Sequence, residues 1–279
     1  MTARTRSRTG APRPATVTEA FRAATQVADA VLFEGYVLYP YRASARKNQL
    51  RWQFGVLMPP GYGAGTGEHS ASRTECLLDP RDGATVHVRV RFLQAQRRDV
   101  EARDAVGFQP VPVLSLSDRE VVAWDEGVVH EEEVDVDLAR VLAHGSEHVL
   151  TVPAGRDTED VLDDGDVVGR LVRRREELRA RLSLSAERLE GPYGVVRLRL
   201  DLANLTAYRP SRGSDVDRAD ALRHALVAAH LLVGLGDAAF LSLLEPPEWA
   251  RPAVEGCVNE HTWPVLVGAG DRHDVVLSS

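Results

Sequence analysis

Residues 85–93, TVHVRVRFL, alternate strictly: Val86, Val88, Val90 and Phe92 fall on one side, His87, Arg89 and Arg91 on the other. A period of two sends successive side chains to opposite faces of a strand, so this reads as an antiparallel strand with one buried and one half-solvated face. Residues 30–41, AVLFEGYVLYPY, form an apolar, aromatic and β-branched run and read as a buried strand. Strand character returns at 111–123 and in the acidic, partly alternating segment 128–142. Residues 181–208 carry a hairpin pattern. Leu182, Leu184 and Ala186 precede the turn EGPYG, and Val196, Leu198, Leu200 and Leu202 follow it. Residues 217–247 suit both a helix, by their alanine and leucine content, and a short helix or loop followed by a hairpin turning at Gly234–Asp237. The second alternative is the expectation adopted. PPEWARPAVEGC reads as a short helix opened by proline, and TWPVLVG as a strand. The expected fold class is mainly β: antiparallel, sandwich-like sheets with a few short helices.

Three stretches lack such patterning. The first 26 residues carry Arg4, Arg6, Arg8 and Arg13 with few apolar groups, and read as a disordered basic tail. Residues 59–72, PPGYGAGTGEHSAS, read as a flexible loop; Gly63, Gly65 and Gly67 do not have the spacing of a phosphate-binding loop. Residues 152–169 are acidic and turn-rich and read as a linker. They divide a β-rich half at 27–155 from a second at 170–279. The run DVVLSS closes the chain on a strand-like pattern, which suggests truncation there.

Net charge −7 argues against nucleic-acid binding. No window holds the ~18 apolar residues of a membrane helix, and no apolar run follows the N-terminal arginines as in a secretory signal. Cys76 and Cys257 are too few for a disulfide framework and read as small buried hydrophobes, so a cytoplasmic location is the default. Lys47 is the only lysine among 34 basic residues, a bias expected of a GC-rich genome.

Candidate chemistry is sparse. His144, Glu147 and His148 match an inverted zinc-protease pattern, but Gly145 and Ser146 intervene and a strand follows, so no metal site is assigned. His224 and His230, and Cys257 with His261, lack partners at fixed spacing. The sharpest feature is the stretch following the first strand. Arg42, Arg46, Lys47, Asn48 and Arg51 supply cations and donors, and Tyr39, Tyr41 and Trp52 supply aromatic faces. Such a mixture serves recognition of an anionic ligand or an acidic protein segment.

The same stretch, AVLFEGYVLYPYRASARKNQLRWQFGVLMP, resembles an uncharacterised actinobacterial protein family found with gene clusters for nickel–iron hydrogenases. TECLL at 74–78, AERLEGPYGVVRLRL at 186–200, FLSLLEPPEWARPAVEGCVN from 240 and TWPVLVG are similar to it as well. The resemblance implies an accessory role with a hydrogenase subunit or precursor as partner. It assigns no catalytic residue and no cofactor. The expected function is a non-enzymatic accessory or assembly factor. The alternative is a β-sandwich enzyme or small-molecule-binding protein centred on Lys47 or on Cys257 and His261. A metal-handling protein using His144 and His148, or His224 and His230, is a third option.

Overall fold

The computed structural model describes residues 8–9, 15–33, 53–191, 193–209, 217–267 and 275–279. The fold is mainly β, antiparallel and sandwich-like, with a few short helices; the strands among the described residues form no closed barrel. In chain order, a short strand β1 (Arg8–Thr9) precedes helix α1 (Ala15–Ala28), which ends in a wider helical turn, Asp29–Phe33. Then come α2 (Pro60–Thr66), β2 (Ala71–Arg103), β3 (Phe108–Val111), β4 (Val113–Ser115), β5 (Glu120–Val122) and β6 (Trp124–Asp137). They are followed by α3 (Leu138–His144), β7 (Ser146–Val152), β8 (Gly155–Asp163), β9 (Asp166–Arg175), β10 (Leu178–Arg188) and β11 (Val196–Asn204). Helix α4 (Arg218–Leu222), β12 (Val227–Leu241), α5 (Arg251–Glu255), β13 (Pro264–Val267) and β14 (Val275–Ser278) complete the described chain.

β2 is the spine. Its 33 residues pair with β11 over 71–78 and with β6 over 85–98. Its other edge pairs with β12, and its far end with β9 and β3. The main sheet therefore runs β13-β14-β12-β2-β11-β10-β7, and the two expected halves share it. Val86, Val88, Val90 and Phe92 of β2 join Leu198 and Leu200 of β11, Leu182 and Leu184 of β10, and Leu231 and Val233 of β12 in one apolar core. Burial of these alternate positions against the facing layer is what holds a sandwich together. The 181–208 hairpin forms as read, with Ala186 opposite Leu198 and Leu182 opposite Leu202.

Six expectations need correction. The basic tail is not disordered throughout: Val17, Phe21, Ala24 and Ala28 form an apolar stripe at helical spacing and bury against Leu232, Val275 and Leu277. Residues 30–33, expected to begin a strand, continue that helix as its terminal turn. The polar face of 85–93 is not half-solvated, because α1 covers it; His87, Arg89 and Arg91 are all buried. The acidic 152–169 stretch is the β8–β9 hairpin. Asp164 and Gly165 take positive φ of 49° and 91°, the conformation that a two-residue Asp-Gly hairpin loop requires. Residues 227–241 form one strand, not a hairpin. Gly236 and Asp237 mark a bulge in its pairing with β2, Asp237 at φ 50°. The glycine loop at 59–72 contains α2, where a side chain at Gly61 would strike the Tyr208 carbonyl at 2.4 Å.

Candidate functional site

The strongest concentration of ionisable groups lies on the β2–β6 ladder beneath α1. The basic alternation of β2 meets an acidic alternation on β6, so that His87 stands opposite Asp135, Arg89 opposite Glu133 and Arg91 opposite Glu131. Arg89 donates to Glu133 at 2.6 and 3.0 Å and to the Thr25 hydroxyl of α1 at 3.0 Å. Arg91, 0% exposed, is the centre. Its Nε donates to Glu131 at 2.9 Å, and a terminal nitrogen donates to Asp29 at 2.5 Å. Its guanidinium also lies 4.8 Å from the Phe33 ring centroid, a cation–π contact.

His230 closes this network. A bulge in β12 between Val227 and His230, with Ala228 at φ 47°, turns the imidazole toward Arg91. Nδ1 lies 2.8 Å from the Ala228 carbonyl and so carries the proton; Nε2 then accepts from Arg91 at 3.2 Å. Burial pushes the His230 pKa down to about 3, with the Arg91 charge acting in the same direction. The imidazole is a neutral structural acceptor at physiological pH. Beside it, Thr85, His87 and Asp135 form a hydroxyl–imidazole–carboxylate row, with the imidazole 3.0 Å from the hydroxyl and 2.8 Å from the carboxylate. This order is that of a hydrolase triad. Here the imidazole and carboxylate are buried rungs of the strand ladder.

A second polar layer lies farther along β2, on its other face. Gln94 donates to the Glu176 carbonyl and accepts from His130, whose pKa burial and the Arg175 charge push down to about 4. Glu126 binds Gln96, Arg98 and Arg173. This layer ends at a cleft of about 570 Å³ between the β4–β5 hairpin and β8, lined by Arg98, Val122, Asp160 and Leu162 among others.

The histidine and cysteine candidates are scattered. His144 ends α3 and His148 lies on β7, hydrogen-bonded to Ser146 at 2.8 Å. His224 packs on Tyr208, and His261 stacks on His69. Cys76 is buried, and burial raises its pKa; the Cys257 thiol, also raised by burial, donates to the Ala253 carbonyl. Among the described residues no group of three metal-ligating side chains occurs. Tyr39, Tyr41, Arg42, Arg46, Lys47, Asn48, Arg51 and Trp52 lie outside the described residues.

The described surface carries its own aromatic patch. Tyr193, in the β10–β11 turn, stacks on Trp249 with ring centroids 4.2 Å apart, and the two are 57% and 42% exposed. Exposed Leu244 and a groove between Leu243, Pro246 and Val254 belong to the same 240–257 segment. Sequence reasoning passed over this patch because Tyr193 and Trp249 are 56 positions apart. It also missed the Arg91 network, although the matched signs of 87–91 and 131–135 carried that signal. No protein-family model matches the chain, and no curated protein matches it.

Proposed function

We propose that this protein is a non-enzymatic accessory or assembly factor that binds a protein partner. The partner implied by the family resemblance is a hydrogenase subunit or its precursor. The observation that carries the reading is the exposed Tyr193–Trp249 stack. Rigid aromatic anchors at the surface are typical of interface hot spots. Both anchors lie in segments that bear the resemblance, and the basic–aromatic stretch 39–52 is a second candidate contact for an acidic partner. The reading is also supported by the buried ionic groups, which bind one another and tie α1 to the sheet.

Affinity purification of the full chain from its host, with mass spectrometry of the proteins recovered, tests this. The expected result is stoichiometric recovery of a hydrogenase subunit. Trp249→Ala, or Arg46→Glu combined with Arg51→Glu, is expected to weaken recovery by about tenfold or more. A solitary protein would overturn the reading. A partner retained by both variants would overturn the two contact surfaces while leaving the accessory role.

A further inference from the structure

The main sheet ends on β13 at one side and on β7 at the other. The β13 edge is guarded. Trp263 N–H donates to the Ser279 carbonyl at 2.9 Å, so the next position, Pro264, faces outward and has no N–H to offer. Proline on an edge strand hinders pairing with another chain. β7, SEHVLTV, has neither a proline nor a bulge. Its hydrogen-bonding phase follows from β10. Arg179 makes its backbone bonds on the β11 side: its carbonyl accepts from Leu205 N–H at 2.8 Å, and its N–H donates to the Thr206 hydroxyl at 3.0 Å. The alternate residues Ala180, Leu182 and Leu184 therefore bond toward β7, where they stand opposite Leu150, His148 and Ser146. The intervening residues Glu147, Val149 and Thr151 turn their N–H and carbonyl groups away from β10, and no described backbone group meets them. Their side chains share the outer face of the sheet, where Val149 is 54% exposed.

This edge is complementary to itself. A two-fold axis through Val149 sets Val149 against Val149 of a second copy, and Glu147 against Thr151 of that copy, in antiparallel register. Each outward N–H then meets an outward carbonyl. No like charges face each other. Arg179 lies beside Thr151 on the outer face. Arg179 of one copy would therefore stand two strands, about 10 Å, from Glu147 of the other, a gap their extended side chains span. Arg179 is exposed and has no ion-pair partner among the described residues. The Glu147 side chain is 59% exposed and holds only a 3.8 Å contact to Arg181. On the inner face His148 would meet Leu150 at the margin of the core.

We infer that β7 is the contact through which two copies of this chain pair, extending the sheet antiparallel across a two-fold axis at Val149. Main-chain hydrogen bonds supply the attraction, Val149 the apolar centre, and the Glu147–Arg179 crossings the register. One short strand per copy makes a small contact, so the dimer is weak and reversible. It does not rest on the partner proposed above or on the Tyr193–Trp249 patch.

Sedimentation equilibrium of the full chain between about 1 and 100 µM tests this. A monomer–dimer equilibrium is expected. Val149→Pro removes an N–H that faces outward and so breaks no bond within the chain. It should weaken pairing at least about tenfold while the melting temperature of dilute protein holds. Glu147→Arg and Arg179→Glu should each weaken pairing about fivefold. An equimolar mixture of these two variants should pair about as well as the parent, because both crossings between unlike copies are then attractive. A change confined to one chain is not rescued by mixing. The inference is overturned by a chain that stays monomeric over this range, which would leave the edge to a strand of another protein. It is equally overturned by a dimer that Val149→Pro leaves intact, or by mixed variants that pair no better than either alone.

Discussion

Arg91 shows how much one side chain can determine. It is buried among Glu131, Asp29 and His230, and only Asp29, its side chain 42% exposed, reaches water. Removing one member of a buried ion pair leaves the other charge without compensation, at a cost of about 3–5 kcal/mol, whereas replacing both by apolar groups is often neutral. Arg91→Met is therefore expected to lower unfolding free energy in urea by about that amount, and Arg91→Met with Glu131→Leu to recover most of it. A double variant no better than the single would show that the charges themselves, and not their pairing, are needed. The histidines give a pH dependence with a definite sign. His230 and His130 have folded pKa values near 3 and 4, below the ordinary value of 6.5. The unfolded chain thus binds more protons over that interval. The stabilisation is fully present above about pH 6.5 and is lost as pH falls toward 4, each group contributing up to about 1.4 kcal/mol per pH unit. His130→Gln, which can still donate to Gln94, should flatten the stability profile between about pH 6 and 4.5. An unchanged slope would remove His130 from the account.

At the scale of elements, α1 decides whether the charged ladder is dry. Gly234 lets it lie close: a Cβ there would stand 2.8 Å from Val17 and from Phe21. Gly234→Val is expected to cost about 1–3 kcal/mol by overpacking and to loosen α1 locally. Faster tryptic cleavage after exposed Arg22, with amide protection in the β10–β11 hairpin unchanged, is the expected signature. Exchange that rises everywhere would mean that α1 and the sheet unfold together. The contrast between these two elements also explains what could be read from the chain. The β10–β11 hairpin is local, with alternation on both sides of a turn, and its two strands are legible in the sequence, while their register comes from the structure. α1 has the apolar stripe of an amphipathic helix, but the four arginines before it give the first 26 residues the composition of a disordered basic tail. In β12, glycine and aspartate at 234–237 have the composition of a hairpin turn. Pairing with both arms of β2 keeps the strand continuous there, and the positive φ of Asp237 is absorbed as a bulge. The ionic ladder was half legible, since its two strands alternate with opposite signs, while its burial depended on a helix far away in sequence.

For the whole molecule, the position of β2 sets the folding unit. β11 and β12 both pair with β2 and not with each other, so the C-terminal part of the chain is held together by a strand from the N-terminal part. The acidic stretch between them, which composition marks as a boundary, is itself a hairpin whose second strand pairs with β2. A fragment spanning residues 170–279 would keep β10 with β11 and β12 with β14, but lose Val86, Val88, Val90 and Phe92 from the middle of the core. Isolated small strand sets without a facing layer are marginal in water. The full chain is expected to melt in one cooperative transition, and the 170–279 fragment to show no sigmoidal melt by circular dichroism. Adding a 1–169 fragment should restore the transition, because the missing strand brings both its hydrogen-bonding edges and its apolar face. A fragment that melts cooperatively by itself would show that the C-terminal half carries its own core, and β2 would then be a partner to that half and not its spine.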